Sequence, residues 1–306
     1  MLLLAVAGFS EVIFFPEGTR ASGMGGAFSA IEGEASSVYL SPASLFRVQS
    51  RIFSFSAGFL PSFTHYSLVY VEPGLFENLK SGIAISFFDW GSFQSYEVSV
   101  DGTSVKGELI HPYSTVMVVP VIYEVNTYFG VAGVFRFAYD SLGNFERVAL
   151  SLDVPSIFLR YREWRLALSF RGFGAQTDYT REILYNYSDA LKSSRFLVPR
   201  ILLGVAYWTT YSDKSYYVWD IDGEYVFDGA FYTRVGLEYH TVKLWLRAGV
   251  FVNWMEWKMS SYNSLGLAGG VSFPVSSEWI LDYSYVRHGI TSSFFAEHRF
   301  ALKKEF

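Results

Sequence analysis

Residues 294–306 read FFAEHRFALKKEF, and their alternation decides the fold class. In steps of two, Phe294, Ala296, Phe300, Leu302 and Phe306 fall on one side, interrupted by His298 and Lys304. Phe295, Glu297, Arg299, Ala301, Lys303 and Glu305 fall on the other. Successive strand side chains point to opposite faces, so this is a strand with one mostly apolar and one largely charged face. As the last strand of a soluble sandwich it would leave an aromatic edge open to aggregation. As the last strand of a barrel, paired with the first, it leaves no edge.

Composition agrees with a barrel. Hydrophobic residues make up 51% of the 306 and aromatics 19%, while charged residues are only 17%. That balance suits a wall that shows Phe, Tyr and Trp to lipid. No apolar run approaches the roughly 18 to 20 residues of a membrane helix; the longest, Val116 to Tyr123, contains Pro120. A membrane protein without such helices is a closed barrel, because every backbone group in lipid needs a partner. Net charge is −5 with no basic stripe, which speaks against nucleic acid. The absence of cysteine fits an oxidising compartment without fixing one.

Working back from the last strand, alternation repeats. Val242, Leu244, Leu246, Ala248, Val250 and Val252 oppose Lys243, Trp245, Arg247, Gly249 and Phe251. The same pattern predicts strands over 50–60, 63–73, 80–90, 107–124, 127–139, 147–161, 164–175, 199–210, 215–227, 230–240, 242–253, 262–273, 277–287 and 294–306. The expectation is a transmembrane antiparallel β-barrel of about 14 strands over 49–306, apolar side to lipid and small or charged side to the lumen. Tight connections (Val125 to Thr127, Arg162-Glu163, His240-Thr241, Pro274 to Ser277) alternate with longer ones (Gly91 to Lys106, Gln176 to Val198, Trp254 to Tyr262). An even strand number then puts both termini on the periplasmic side of a bacterial outer membrane. Trp164 and Trp279 follow short turns, where an interfacial belt would sit.

Lumen charges follow from the same phase: Arg136, Arg165, Arg171, Glu224, Arg234, Glu238 and Arg247. Asp228-Gly229 marks a hairpin. A three-residue loop there is read as setting Glu224 opposite Arg234, with Glu238 near Lys243 or Arg247. Such pairs are more often structural than ligand-binding. Leu150, Leu152 and Val154 share a face, but beyond Pro155 the apolar set becomes Ile157, Leu159 and Tyr161. A proline at a phase slip marks a bulge or kink in the wall.

Residues 1–10, MLLLAVAGFS, carry an Ala5-Val6-Ala7 signal-peptidase pattern behind a short apolar core, and read as the remnant of a signal peptide or as an apolar segment that stays. Residues 11–48 lack a clean period of two. Their run Gly23-Met24-Gly25-Gly26-Ala27-Phe28, the acids Glu32 and Glu34, and the turn Ser41-Pro42-Ala43 resemble the N-terminal signature of FadL-like and PorV/PorQ-like outer-membrane proteins. Ser41 stands where that family has Asn and is expected to make a similar local turn bond. Val148 to Ala175 and Leu197-Val198-Pro199-Arg200 also resemble the PorV/PorQ-like pattern. The resemblance implies that 11–48 fold inside the barrel as a plug, with Gly23, Gly25 and Gly26 allowing close backbone packing. It also implies that a kink such as that at Pro155 opens a lateral route, although plain wall curvature is the simpler cause. Phe300, Leu302 and Phe306 resemble the C-terminal signal of outer-membrane barrels, which implies the barrel-assembly machinery and outer-membrane lipids as partners.

No catalytic set, cofactor motif or metal ligands stand out. His65, His111, His240, His288 and His298 are scattered, and Phe28 stands where a dinucleotide loop needs a small residue. Passage of small hydrophobic compounds is the leading expectation, supported by the plug, by Pro155 and by loop aromatics Phe93, Tyr96, Tyr185 and Tyr187. A partner of protein-secretion components and a structural barrel are the alternatives.

Overall fold

The computed structural model describes residues 12–14, 18–98, 104–143, 145–180, 191–212, 215–254, 265–288 and 296–306. The expected signal remnant over 1–10, with Tyr185 and Tyr187, lies outside the described residues. The strands are β1 (Ile52–Phe59), β2 (Thr64–Phe76), β3 (Leu79–Asp89), β4 (Phe93–Val98), β5 (Ser104–Ile110), β6 (Tyr113–Asn126), β7 (Phe129–Leu142), β8 (Phe145–Tyr161) and β9 (Trp164–Arg171). They continue as β10 (Phe173–Thr180), β11 (Leu191–Phe196), β12 (Arg200–Ser212), β13 (Ser215–Val226), β14 (Phe231–Thr241), β15 (Trp245–Asn253), β16 (Leu265–Pro274), β17 (Trp279–His288) and β18 (Ala296–Glu305).

All but β4 and β5 belong to one antiparallel sheet of 16 segments that closes on itself. β9 and β10 are halves of one wall strand broken at Gly172, and β11 and β12 are halves of another broken at Leu197–Pro199. Sixteen segments less these two joins give a barrel of 14 strands. The last strand pairs with the first, from Ile52↔Glu305 to Phe59↔His298, and the Phe306 N–H donates to the Arg51 carbonyl at 3.0 Å.

Along β18, Glu297, Arg299, Ala301 and Lys303 are buried, whereas His298, Phe300 and Leu302 are exposed. The same inversion holds around the wall, where Leu152, Leu166, Leu203, Ile221, Leu246 and Leu281 stand on the outside. An apolar exterior is the reverse of a soluble domain, while the interior is mixed: buried charges stand beside an apolar cluster in which Val69, Val71, Phe88, Val118 and Ile122 of the wall pack with Phe28, Leu45 and Phe46. Among the described residues no helix is long and apolar enough to cross a membrane.

Three sequence expectations are corrected. The strand read over 107–124 is two, the end of β5 and most of β6; β5 pairs with β4, which lies in the stretch read as a loop, in a separate hairpin. Much of the loop read over 176–198 is strand, because β10 and β11 prolong the wall beyond Gly172 and Leu197–Pro199. Connections at the end opposite the barrel termini are not uniformly long, since β1–β2, β7–β8 and β13–β14 are joined by only a few residues.

β8 changes partner half-way. Phe145–Leu152 pair with β10, and Ser156–Tyr161 pair with β9. On its other side Ala132 faces Ser156 and Val134 faces Asp153, so Val154 and Pro155 together oppose Gly133. This two-for-one count is a β-bulge, the geometry expected where a proline cannot donate to the ladder. Val154 and Pro155 both face outward, which accounts for the phase slip.

Candidate functional site

Residues 19–31 and 34–46 are almost wholly buried, surrounded by inward-facing residues of the wall. The segment contains an α-turn, Thr19–Gly23, a second, Ser37–Leu40, and a 3-10 turn, Pro42–Arg47. A chain with so little regular structure has many unpaired backbone groups, and each needs a partner when buried. The wall supplies them.

On β13, Asp222 Oδ2 accepts from the Phe28 and Ser29 N–H groups at 2.9 and 3.0 Å, and Asp220 accepts from Ala30 N–H at 3.3 Å. On β3, Lys80 donates to the carbonyls of Phe46 and Val48 and pairs with Glu124 at 3.1 Å. On β7, Arg136 donates to the Tyr39 carbonyl at 2.7 Å and pairs with Asp153 at 2.6 Å. The Tyr39 hydroxyl meets Ser67 and Ser86 at 2.7 and 3.1 Å.

Side-chain charges complete the grip. Arg20 is bidentate on Glu238, at 2.8 and 2.6 Å, and also pairs with Glu34 at 3.0 Å. Glu34 is bonded in turn by Lys303 at 2.9 Å. Burial pushes the Glu34 carboxyl up, but Lys303 and Arg20 outweigh it and hold it at about 2. Glu32 pairs with Arg165 at 2.9 Å and Arg160 at 3.5 Å.

The three glycines read as close-packing positions lie against the wall. A methyl on Gly23 would stand 3.1 Å from Gly270 Cα, and one on Gly26 3.1 Å from Arg234 Cδ. Gly25 has φ +67°, and a methyl there would stand 3.0 Å from the Val250 nitrogen. The wall reciprocates: a methyl on inward-facing Gly249 would fall 2.1 Å from the Met24 carbonyl carbon. Ser41 corrects an expectation. Its hydroxyl makes no bond among the described residues; instead its N–H donates to the Ser37 carbonyl and its carbonyl accepts from Ser44, both at 3.0 Å. Pro42 opens the 3-10 turn, where its missing N–H is not needed.

The predicted lumen charges all face inward, but one pairing differs. Glu238 lies opposite Arg247 and accepts from its Nε at 2.7 Å. Glu224 lies opposite Tyr232, and Arg234 opposite Asp222. The Val226 N–H bonds the Ala230 carbonyl, so the three loop residues set the register two positions short of the sequence reading. Arg234 still reaches Glu224 diagonally, beside Arg171 and Arg200. Phe300, Leu302 and Phe306 are exposed on the outer face. Sequence reasoning missed Arg20, Lys80, Asp220, Asp222 and Lys303. Asp220 and Asp222 had a signal: with Glu224 they make three acids on one inward face, spaced by two, in a strand otherwise rich in apolar and aromatic residues.

Two hollows remain. One, of about 600 Å³, opens at the end carrying Arg51 and Phe306 and is lined by Glu72, Lys80 and Glu124 among others. The other, of about 120 Å³, sits at the strand break beside Leu197 and Val198 and reaches inward to Phe14 and Arg200.

No protein-family model matches this sequence, and no curated protein matches it. Solved structures do. The P. putida toluene transporter TodX matches with a TM-score of 0.64 at 12% identity, over 95% of this chain and 98% of that one. The Ralstonia pickettii toluene transporter TbuX matches at 0.63 and 12%, over 95% and 98%. The CymD monoaromatic hydrocarbon channel matches at 0.58 and 14%, over 94% and 97%. At these identities the likeness is one of fold, and it extends over the whole barrel; the FadL-like resemblance of the sequence is met at that level.

Proposed function

We propose that this chain is an outer-membrane barrel giving passive passage to small hydrophobic compounds, with residues 11–48 as its plug and both chain termini on the periplasmic side. The apolar exterior matches a lipid-facing band, and burial of so large an outer apolar surface has no other ready partner. The observation that carries the reading is the line of interrupted wall pairing above a filled lumen. Val154-Pro155, Gly172 and Leu197–Pro199 break three adjacent strands at neighbouring register positions. A solute that enters from outside meets the anchored segment below and a weakened wall beside it. Apolar solutes leave sideways into lipid at little cost, whereas hydrated ones do not. The neighbours in fold are named as transporters of toluene and channels for monoaromatic hydrocarbons, which agrees with this reading. The secretion-partner alternative draws only on the sequence resemblance, in the N-terminal signature, Val148 to Ala175 and Leu197 to Arg200.

The test is flux in liposomes holding the full chain. A hydrophobic aromatic tracer should cross faster than in empty liposomes while a labelled sugar does not. Removing residues 11–48 should make both cross. A barrel that passes neither tracer nor sugar when intact contradicts the proposal.

A further inference from the structure

Three guanidiniums, those of Arg171, Arg200 and Arg234, share the one carboxylate of Glu224. All are inward-facing, with Arg171 only 2% and Arg200 only 8% exposed. The neighbouring acids are already engaged. Asp222 holds the Phe28 and Ser29 N–H groups, and Asp153 holds Arg136 and the Gly172 N–H. Among the described residues Arg171 Nε and Nη1, Arg200 Nε and Arg234 Nη1 therefore have no acceptor. Buried donors without acceptors are unfavourable.

Of the three, Arg200 lines the cavity of about 120 Å³. Arg195 and Arg200 line one part of it with Gln176, whose amide oxygen is placed to accept from Arg195 at 2.6 Å, and with Asp228 at its edge; Phe14, Leu197 and Val226 give it an apolar part. The Arg200 guanidinium lies 4.2 Å from the centre of the Phe14 ring. The volume is of the order that holds one ring, as an apolar cavity of about 150 Å³ holds benzene. The cavity is also reachable from outside. β11 pairs with β10 alone, so its other edge carries no strand among the described residues, and the β13–β14 turn ends beside it.

We propose that this cavity binds a small organic acid: the carboxylate is taken by Arg200 and Arg195 in the field of Arg171, and the apolar body lies against Phe14, Leu197 and Val226. Guanidinium forks suit carboxylates through paired charge-assisted hydrogen bonds. The proposal deepens the passage reading and rests on it for the ligand's route, since it makes carboxylated aromatics, not only neutral hydrocarbons, the compounds the barrel selects.

The test is calorimetric titration of the full chain in a nonionic detergent with benzoate, inorganic phosphate and toluene. Benzoate should bind saturably at one per chain. Arg200→Gln should raise its Kd at least tenfold, and so should Val226→Trp, which fills the cavity and keeps every guanidinium. Circular-dichroism melts check that both variants fold. No saturable benzoate binding overturns the proposal, and so does a Kd within twofold of the parent in a folded variant. Phosphate bound as tightly as benzoate overturns it too, because the site would then recognise a bare anion such as a lipid phosphate. Binding in detergent is read without flux. A barrel that binds benzoate but passes no tracer removes the passage reading and leaves the site, whereas tracer flux without benzoate binding removes the site alone.

Discussion

Arg20 and Glu238 are 218 positions apart in the chain and are joined by two hydrogen bonds of 2.8 and 2.6 Å. Arg247 reaches the same carboxylate from the next strand at 2.7 Å. The N-terminal segment is therefore fixed to the wall at a point where wall strands are already fixed to each other.

Arg20→Met should loosen the segment without opening the wall. It leaves Glu34 to Lys303 and Glu238 to Arg247, so the cost stays below the roughly 3–5 kcal/mol of a buried charge left without a partner. The wall ladders are untouched. The expected result is raised ion conductance in planar bilayers, with a barrel melting temperature close to that of the parent. Unchanged conductance would show that the other anchors suffice.

Steric contact gives an independent handle on the same segment. Gly249 faces inward, and a methyl on it would meet backbone atoms of Met24 and Gly25 at 2.1 and 2.3 Å. Backbone cannot give way as a side-chain tip can. Gly249→Val, a good strand residue, should leave strand content by circular dichroism intact. It should expose the segment to protease, with cleavage after Arg47 or Arg20 at least tenfold faster. Parental resistance to protease would contradict the close packing.

The barrel was legible because its signal is local and repeated. Alternation in FFAEHRFALKKEF fixed both faces of β18, and the slip at Pro155 marked the bulge. Glu238 with Arg247 followed from a short turn. The anchors were not legible. Asp222 and Ser29 meet across 193 positions, and a contact between an irregular segment and a distant strand leaves no period in either. The β4–β5 hairpin was hidden for another reason: its strands are short and sit among polar loop residues, so they read as connection. The Glu224 pairing failed on register, where a shift of two keeps the face and changes the partner.

Deleting Pro155 should separate wall curvature from a lateral route. Asp153 and Ser156 face inward on either side of Val154 and Pro155, which both face outward. With Pro155 gone, Val154 alone lies between them and strict alternation is restored without moving either inward residue. The barrel should fold with a melting temperature at or above that of the parent. Flux of the hydrophobic tracer should fall severalfold if the break is an exit. Flux equal to the parent's would assign the bulge to curvature only.

Acid should release the segment through Glu34. Its carboxyl is held at about 2, below the roughly 4.3 of an unfolded glutamate. A group depressed in the folded state adds stability that is fully present above the unfolded value and is lost as pH falls through the folded one. The window therefore runs from about pH 4 down to about 2. Protonation neutralises the one carboxylate among the described residues that Arg20 and Lys303 both bond, and those two cations then repel across it. Conductance in planar bilayers should stay low from pH 8 to 5 and rise below 4. Glu34→Gln keeps the shape but never carries the charge, so it should conduct at neutral pH and lack the part of the acid step that Glu34 supplies. A variant with the parent's full acid response would place the release on other groups.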